Sequence, residues 1–310
     1  MEVKETKSRT NPFLIFLASI GGIAIFTTVI FVFIIFSFIG MFKGIPSDIK
    51  SISSSSQGIG IIEIKEIISD VEPILKNMRE FRHNDNIKAV ILRIDSPGGA
   101  VGASQELYEE IKRLDKIKPV VASLVNVAAS GGYYSAIGAR KIVSNPGTIT
   151  GSIGVIMHIP NLEKLFEKIG VKETVIKSGD KKDIGSTTRA LTDEEKKIME
   201  ESLKDVHNQF IQAVSQSRKI PLEDAIRLAD GRIYTGKQAL ELKMVDELGN
   251  FSVAIDRACE YAGIKGKPDL IYPSKDEFFL SKYLVEGTSR IILSIWEKEA
   301  LKTNLYYLPN

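Results

Sequence analysis

The stretch Val120-Val121-Ala122-Ser123-Leu124-Val125-Asn126-Val127-Ala128-Ala129-Ser130-Gly131-Gly132-Tyr133-Tyr134 decides how the chain is read. The run Val120–Val127 is apolar enough to be a strand covered on both faces, the habit of parallel sheets. A serine, two glycines and a segment able to be helical through Ala139 follow it. A serine at a strand-to-helix handover has its hydroxyl pushed out of the fold and faces the positive end of the helix. Glycines after it leave backbone N–H groups open to an anion. Acyl transfer needs this pairing of a nucleophile with nearby oxyanion donors. A tight turn of small residues chosen for packing is the competing reading, and only a base elsewhere in the chain separates the two.

Working outward, strands are expected at Ile59–Ile64, Lys88–Ile94, Lys141–Val143, Gly154–Met157 and Glu173–Lys177. Helical spacing falls between them. Ser69-Asp70 signals an N-cap ahead of Val71, Ile74, Leu75, Met78 and Phe81; Leu107, Ile111 and Leu114 mark a second helix, and Leu162–Ile169 a third. A long helix is expected over 191–217, capped by Thr192 with Glu195 three residues on, and shorter ones at Pro221–Leu228, Gly236–Leu242 and Val253–Ala262. Alternating strands and helices predict an α/β core with a mostly parallel sheet and flanking helices.

The flanks differ from this core. Phe13 to Phe42 holds no charged residue, and as a helix it would be about 45 Å long, against about 30 Å of bilayer hydrocarbon. It is too long for the apolar core of a cleavable signal peptide, and no A-x-A-like site follows it. Residues 13–42 are therefore expected to be a retained transmembrane anchor. Lys4, Lys7 and Arg9 precede it against Lys43 and Lys50 after it, a small excess that favours residues 1–12 in the cytoplasm and everything after Phe42 outside. Residues 43–58 are Ser-rich and read as a linker about 20 Å from end to end. The catalytic domain is expected over 59–272, and a tail with apolar clusters over 273–310, suited to packing on the domain, a neighbour or the membrane surface.

Composition narrows the function. Lys+Arg 41 against Asp+Glu 39 leaves a net charge of +2, and no basic face with interleaved aromatics suggests nucleic acid. The single cysteine, Cys259, excludes an intrachain disulfide framework or a Cys-rich metal site. A serine nucleophile needs a base, and the chain has three histidines. His83 falls in a polar His-Asn-Asp-Asn run, and His207 beside Asp205 and Asn208 on the face of the long helix. His158, after the expected strand Gly154–Met157, is the one histidine placed to serve. A lysine is the alternative, provided burial or nearby positive charge lowers its pKa, and spacing alone does not pick one.

A family resemblance does. Ser96-Pro97-Gly98-Gly99, Ala128-Ala129-Ser130-Gly131-Gly132-Tyr133-Tyr134, Thr150-Gly151-Ser152-Ile153-Gly154-Val155 and Ser178-Gly179-Asp180-Lys181-Lys182-Asp183 occur in that order. Ala229-Asp230-Gly231-Arg232, Thr235-Gly236 and Val245-Asp246-Glu247-Leu248-Gly249 follow. Together they resemble peptidase family S49, the short, single-repeat, protease IV-like signal peptide peptidases, from the anchor to about residue 265. The resemblance implies a ClpP/crotonase-like fold and a Ser–Lys dyad. Ser130 matches the nucleophile and Lys182 the general base, with Lys181 its adjacent rival. Gly99 and Gly131 match the oxyanion-hole glycines, and Ser152 the serine that orients the lysine. The resemblance further implies no cofactor or metal, peptide substrates such as remnant signal peptides, and a homo-oligomeric ring whose subunits share the dyad. Where the family carries Ser-Pro-x-Arg after the lysine loop, this chain has Ser186-Thr187-Thr188-Arg189, and the missing proline predicts a looser loop. Two alternatives keep the fold and change the role: a crotonase-like enzyme acting on acyl-CoA thioesters, and a non-catalytic membrane scaffold.

Overall fold

The computed structural model describes residues 57–274. The expected anchor 13–42, nearly all of the linker and the tail beyond residue 274 lie outside the described residues. Among the described residues no helix is long and apolar enough to cross a membrane.

Four strands build the centre: β1 (Gly58–Ile68), β2 (Ile87–Gly99), β3 (Val120–Ala129) and β4 (Lys141–Ser144). Shorter ones complete an eight-stranded sheet: β5 (Ile149–Gly151), β6 (Ile233–Thr235), β7 (Glu247–Leu248) and β8 (Asp269–Ile271). The order is β6-β5-β3-β2-β1-β8, with β4 paired to both β3 and β7. Every pairing is parallel except β5 with β6. This is the α/β architecture with a mostly parallel sheet that the alternating pattern predicts.

Side chains of the central strands alternate between two apolar cores, because successive residues of a strand face opposite sides. Ile62, Ile64, Val90, Leu92, Val120 and Ala122 enter the larger core, which is closed by α1 (Glu72–His83), α2 (Val101–Asp115) and α3 (Gly131–Ala136). Ile59, Ile61, Ala89, Ile91 and Val121 face the other way, onto Ala254 and Ala258 of the C-terminal helix Phe251–Ala262. Both faces are covered, which is why β1 to β3 read as continuous apolar runs.

Between β5 and the C-terminal helix come α4 (Glu163–Lys168), α5 (Asp193–Arg218), α6 (Leu222–Leu228) and α7 (Gly236–Glu241), which makes that last helix α8. The cap expected of Thr192 on α5 is present in full: Glu195 N–H donates to Thr192 Oγ1 at 3.2 Å, and Thr192 N–H to the Glu195 carboxylate at 3.0 Å. At α1 the capping position is Val71, with no side-chain cap, although Glu72 N–H still donates to Asp70 Oδ1 at 3.2 Å.

Two expected strands do not form. Gly154–Met157 and Glu173–Lys177 are extended or irregular, and the strand in this region is the shorter, earlier β5. Much of their apolar surface stays uncovered: Ile156 is 78% and Ile176 96% exposed. β-propensity needs a neighbouring edge and a face to bury, and this stretch has neither among the described residues.

Candidate active site

Register brings the site together. Ala129 of β3 pairs with Gly151 of β5, so the next residues, Ser130 and Ser152, leave adjacent strands side by side. On the other flank of β3, Ser96 pairs with Ala128, and β2 ends at Gly98-Gly99. Three strand ends thus meet at the carboxyl edge of the sheet, where open α/β sheets bind ligands.

Ser130 carries the strain expected of a forced handover. Its φ of 50° and ψ of −121° lie in a region that L-residues rarely adopt. The local network holds it there. Ser130 N–H donates to the Gly151 carbonyl at 2.8 Å, and Tyr134 N–H to the Ser130 carbonyl at 2.8 Å, which starts α3. Thr150 Oγ1 donates to the Ala128 carbonyl at 2.6 Å, tying β5 to β3 one residue before the turn. Ser152 repeats the backbone anomaly with φ 50°, and its N–H donates to the Arg232 carbonyl at 2.8 Å.

The glycines answer to close approach. A Cβ on Gly131 would sit 2.2 Å from Ser104 Oγ and 3.2 Å from the Gly99 nitrogen. A Cβ on Gly99 would lie 2.0 Å from the Ile68 carbonyl oxygen. The two glycines therefore stand against one another with no room for a side chain, and Gly99 is exposed to the cleft. Ser96, fully buried, fixes the turn before them: its hydroxyl donates to the Glu66 carbonyl and accepts from Gly98 N–H at 3.1 Å.

Two hollows open on Ser130. One is a small apolar pocket walled by Val101, Tyr134, Val155, Val206 and Phe210, with Tyr134 and Phe210 rings 4.5 Å apart. The other is a cleft of about 510 Å³ lined by Gly99, Ser130, Ser152, Ile156, His207 and Asp230, among others. Sequence reasoning found Ser130, Ser152 and Gly99 but missed this wall. Val206 and Phe210, one helical turn apart on α5, carried the available signal.

Lysine is placed differently. Lys182 lies on an exposed loop and lines neither hollow. Its rival Lys181 is engaged in an ion pair with Glu194. The loop is clasped rather than loose: Arg189 donates to Glu195 at 2.6 and 2.8 Å and to Asp183 Oδ2 at 3.1 Å, and Lys177 meets Asp183 Oδ1 at 2.6 Å. Arg189, followed by Lys177, holds the Asp183 carboxyl well below the usual range, and Arg189 draws Glu195 down to about 2.

Two of the three histidines also part company with expectation. His158 is exposed and outside both hollows, and His83 is the exposed last residue of α1. His207, expected on a helix face in solvent, lines the cleft with Ser130 instead. Helix α5 packs against α3 and α6, and its Val206, His207 and Phe210 become part of the walls around Ser130.

Comparison with known proteins identifies the family. The model of Peptidase family S49 matches residues 112–265. A Synechocystis sp. protein named as a protease is 44% identical over 77% of this chain and 87% of its own length. The chain belongs to peptidase family S49. An Enterococcus faecium protein named as a signal peptide peptidase is 32% identical over 72% of this chain and 68% of its own. A chloroplastic serine protease of Arabidopsis thaliana is 41% identical over 62% of this chain and 29% of its own. As a member of family S49 the chain is a serine peptidase, and the acyl-CoA and scaffold alternatives fall away.

Proposed function

We propose that this S49 peptidase is a membrane-anchored serine endopeptidase of ClpP/crotonase-like fold that degrades cleaved signal peptides and other membrane-associated peptides through a Ser130–Lys182 dyad. The observation that carries the reading is the strained Ser130 at the end of β3, facing two side-chain-free glycines and two hollows. Neutral Lys182 takes the Ser130 hydroxyl proton as Oγ attacks the scissile carbonyl. The Gly99 and Gly131 N–H groups receive the oxyanion. Protonated Lys182 then gives its proton to the leaving amine, and water hydrolyses the Ser130 ester. Ser152, beside Ser130, orients the ammonium. The apolar pocket of Val101, Val206 and Phe210 suits the apolar side chains of a signal peptide.

Lys182 reaches Ser130 from a neighbouring copy in this reading. It is exposed and outside the cleft of its own chain, and a lysine becomes a base only when partly desolvated. Ile156, Met157, Ile169 and Ile176 are exposed in the same excursion between β5 and α5, and they offer the apolar area for such a contact. The anchor 13–42 would hold the catalytic domain at the extracytoplasmic surface. A mixing experiment with the full chain in detergent tests the dyad and its sharing together. Ser130→Ala and Lys182→Ala are each expected to be inactive on a signal peptide, with activity returning when the two are co-assembled. A mixture that stays inactive while the proteins co-assemble would rule out a shared dyad.

A further inference from the structure

The two faces of the sheet are finished unequally. Helices α1, α2 and α3 close the larger core, whereas among the described residues α8 alone covers the smaller one. That cover thins toward β8, the edge strand beside β1. Ile271 of β8 packs against the larger core, and successive residues of a strand face opposite sides, so Leu270 points to the α8 side. Register agrees, since Leu270 stands beside Ile59 of the smaller core. Yet Leu270 is 37% and the following Tyr272 54% exposed. A groove of about 510 Å³ opens where α8 meets the segment leading into β8. It is lined by apolar Ile255, Cys259, Ile264 and Pro268 and by charged Glu260 and Lys267, among others. Ile255, Cys259 and Ile264 are only partly buried against the smaller core.

The chain leaves the described fold at this spot, at Ser274, and residues 275–310 follow. Ser274 and Glu277 have the spacing of a capping box, and Phe279, Leu280, Tyr283 and Leu284 recur after it with helical spacing. We propose that residues 275–284 dock as a short helix in the groove beside α8, with Phe279, Leu280, Tyr283 and Leu284 laid over Ile255, Cys259 and Leu270. Ten helical residues measure about 15 Å, within the length of the twelve-residue α8. Attachment favours this segment over a second copy. Joined to the fold beside the groove, it is present there at an effective concentration on the order of millimolar. Glu260 and Lys267 suit a helix that carries Lys275, Glu277 and Lys282 around its apolar face, and they do not suit lipid. β8 is at the far edge of the sheet from β5, so the docked segment stays clear of the Ser130 cleft, and the proposal is independent of the dyad.

Cys259, the one cysteine of the chain, lines the groove and reports on it. In the full chain in detergent, Phe279→Asp combined with Leu280→Asp is expected to speed alkylation of Cys259 by N-ethylmaleimide at least fivefold over wild type. In a separate full-length variant, Leu280→Cys oxidised with diamide should form a disulfide with Cys259 of the same chain. It would run as a monomer on a non-reducing gel, with the linked peptides identified by mass spectrometry. Asn304→Cys, twenty residues beyond the docked segment, should link at least tenfold more slowly. Urea melts identify a variant that does not fold, and the cross-link stands without the Asp variant. The proposal is overturned if a folded Asp variant alkylates less than fivefold faster. It is also overturned if Leu280→Cys links two copies, which would give the groove to a second chain, or links no faster than Asn304→Cys, which would mean a tail that visits without docking. Protection of Cys259 that appears only in lipid vesicles would assign the segment to the membrane and overturn the proposal as well.

Discussion

At the scale of the residue, the site is a set of backbone compromises. Ser130 holds a positive φ that glycine adopts freely, and such strain costs on the order of 1–3 kcal/mol. Ser130→Gly is therefore expected to raise stability by about 1 kcal/mol in urea melts while abolishing hydrolysis, a separation that a merely structural turn would not give. Gly131→Ala would drive its methyl into Ser104 Oγ and beside the Gly99 amide. A loss of about 10²–10³ in kcat, with a smaller change in KM, is expected from steady-state kinetics, as for removal of one oxyanion donor. Tyr133, although next to these glycines, takes no part in this chemistry. It is wholly buried, its hydroxyl donates to the Met244 carbonyl at 2.9 Å, and burial raises its pKa.

At the scale of the element, the central strands and the long capped helix were legible in the sequence because their signals are local: unbroken apolar runs, a Thr–Glu capping box and helical spacing. The failures came where structure depends on something distant. Gly154–Met157 and Glu173–Lys177 have strand composition but no edge to join, and β6, β7 and β8 are too short to announce themselves. His207 was misplaced because helical position alone does not tell which face α5 lays over the cleft. Ser130, Gly99 and Ser152 were legible through their motifs, but their adjacency is a matter of register. The lysine loop shows another non-local effect, since Arg189 ties Asp183 to Glu195 at the start of α5. Both carboxyls are held low, so the clasp contributes its full stability above the unfolded carboxylate range of about 4 and loses it as pH falls toward 2. Urea melts from pH 7 to pH 3 should therefore show wild type losing stability in acid, with Glu195→Gln lower at pH 7 and flatter below pH 4. A flat wild-type profile would mean that the clasp does not form. Arg189→Ala is expected to lower kcat more than it raises KM, because it frees the loop that carries Lys182.

At the scale of the whole molecule, the sheet with its two cores carries Ser130, the proposed nucleophile, at its carboxyl edge. The excursion between β5 and α5 carries Lys182, the proposed base, on a surface rich in exposed apolar residues. Replacing Ile176 by Asp removes apolar area where no packing within the chain is lost, since Ile176 is 96% exposed. Sedimentation of the full chain in detergent is expected to show a smaller assembly for Ile176→Asp and hydrolysis falling with it, while the urea melt of the domain is unchanged. An unchanged assembly would place the contact elsewhere. The pairing of Ser130 with Lys182 is the claim on which the function turns, and covalent labelling tests it most directly. Full-length protein treated with a serine-directed phosphonate and analysed by peptide mass spectrometry should carry the label at Ser130. The labelling rate should fall at least a hundredfold, on the order of a lost general base, in Lys182→Ala, and hold in Lys181→Ala and His158→Ala. A label on another residue, or a rate that survives Lys182→Ala and collapses in Lys181→Ala, would contradict it.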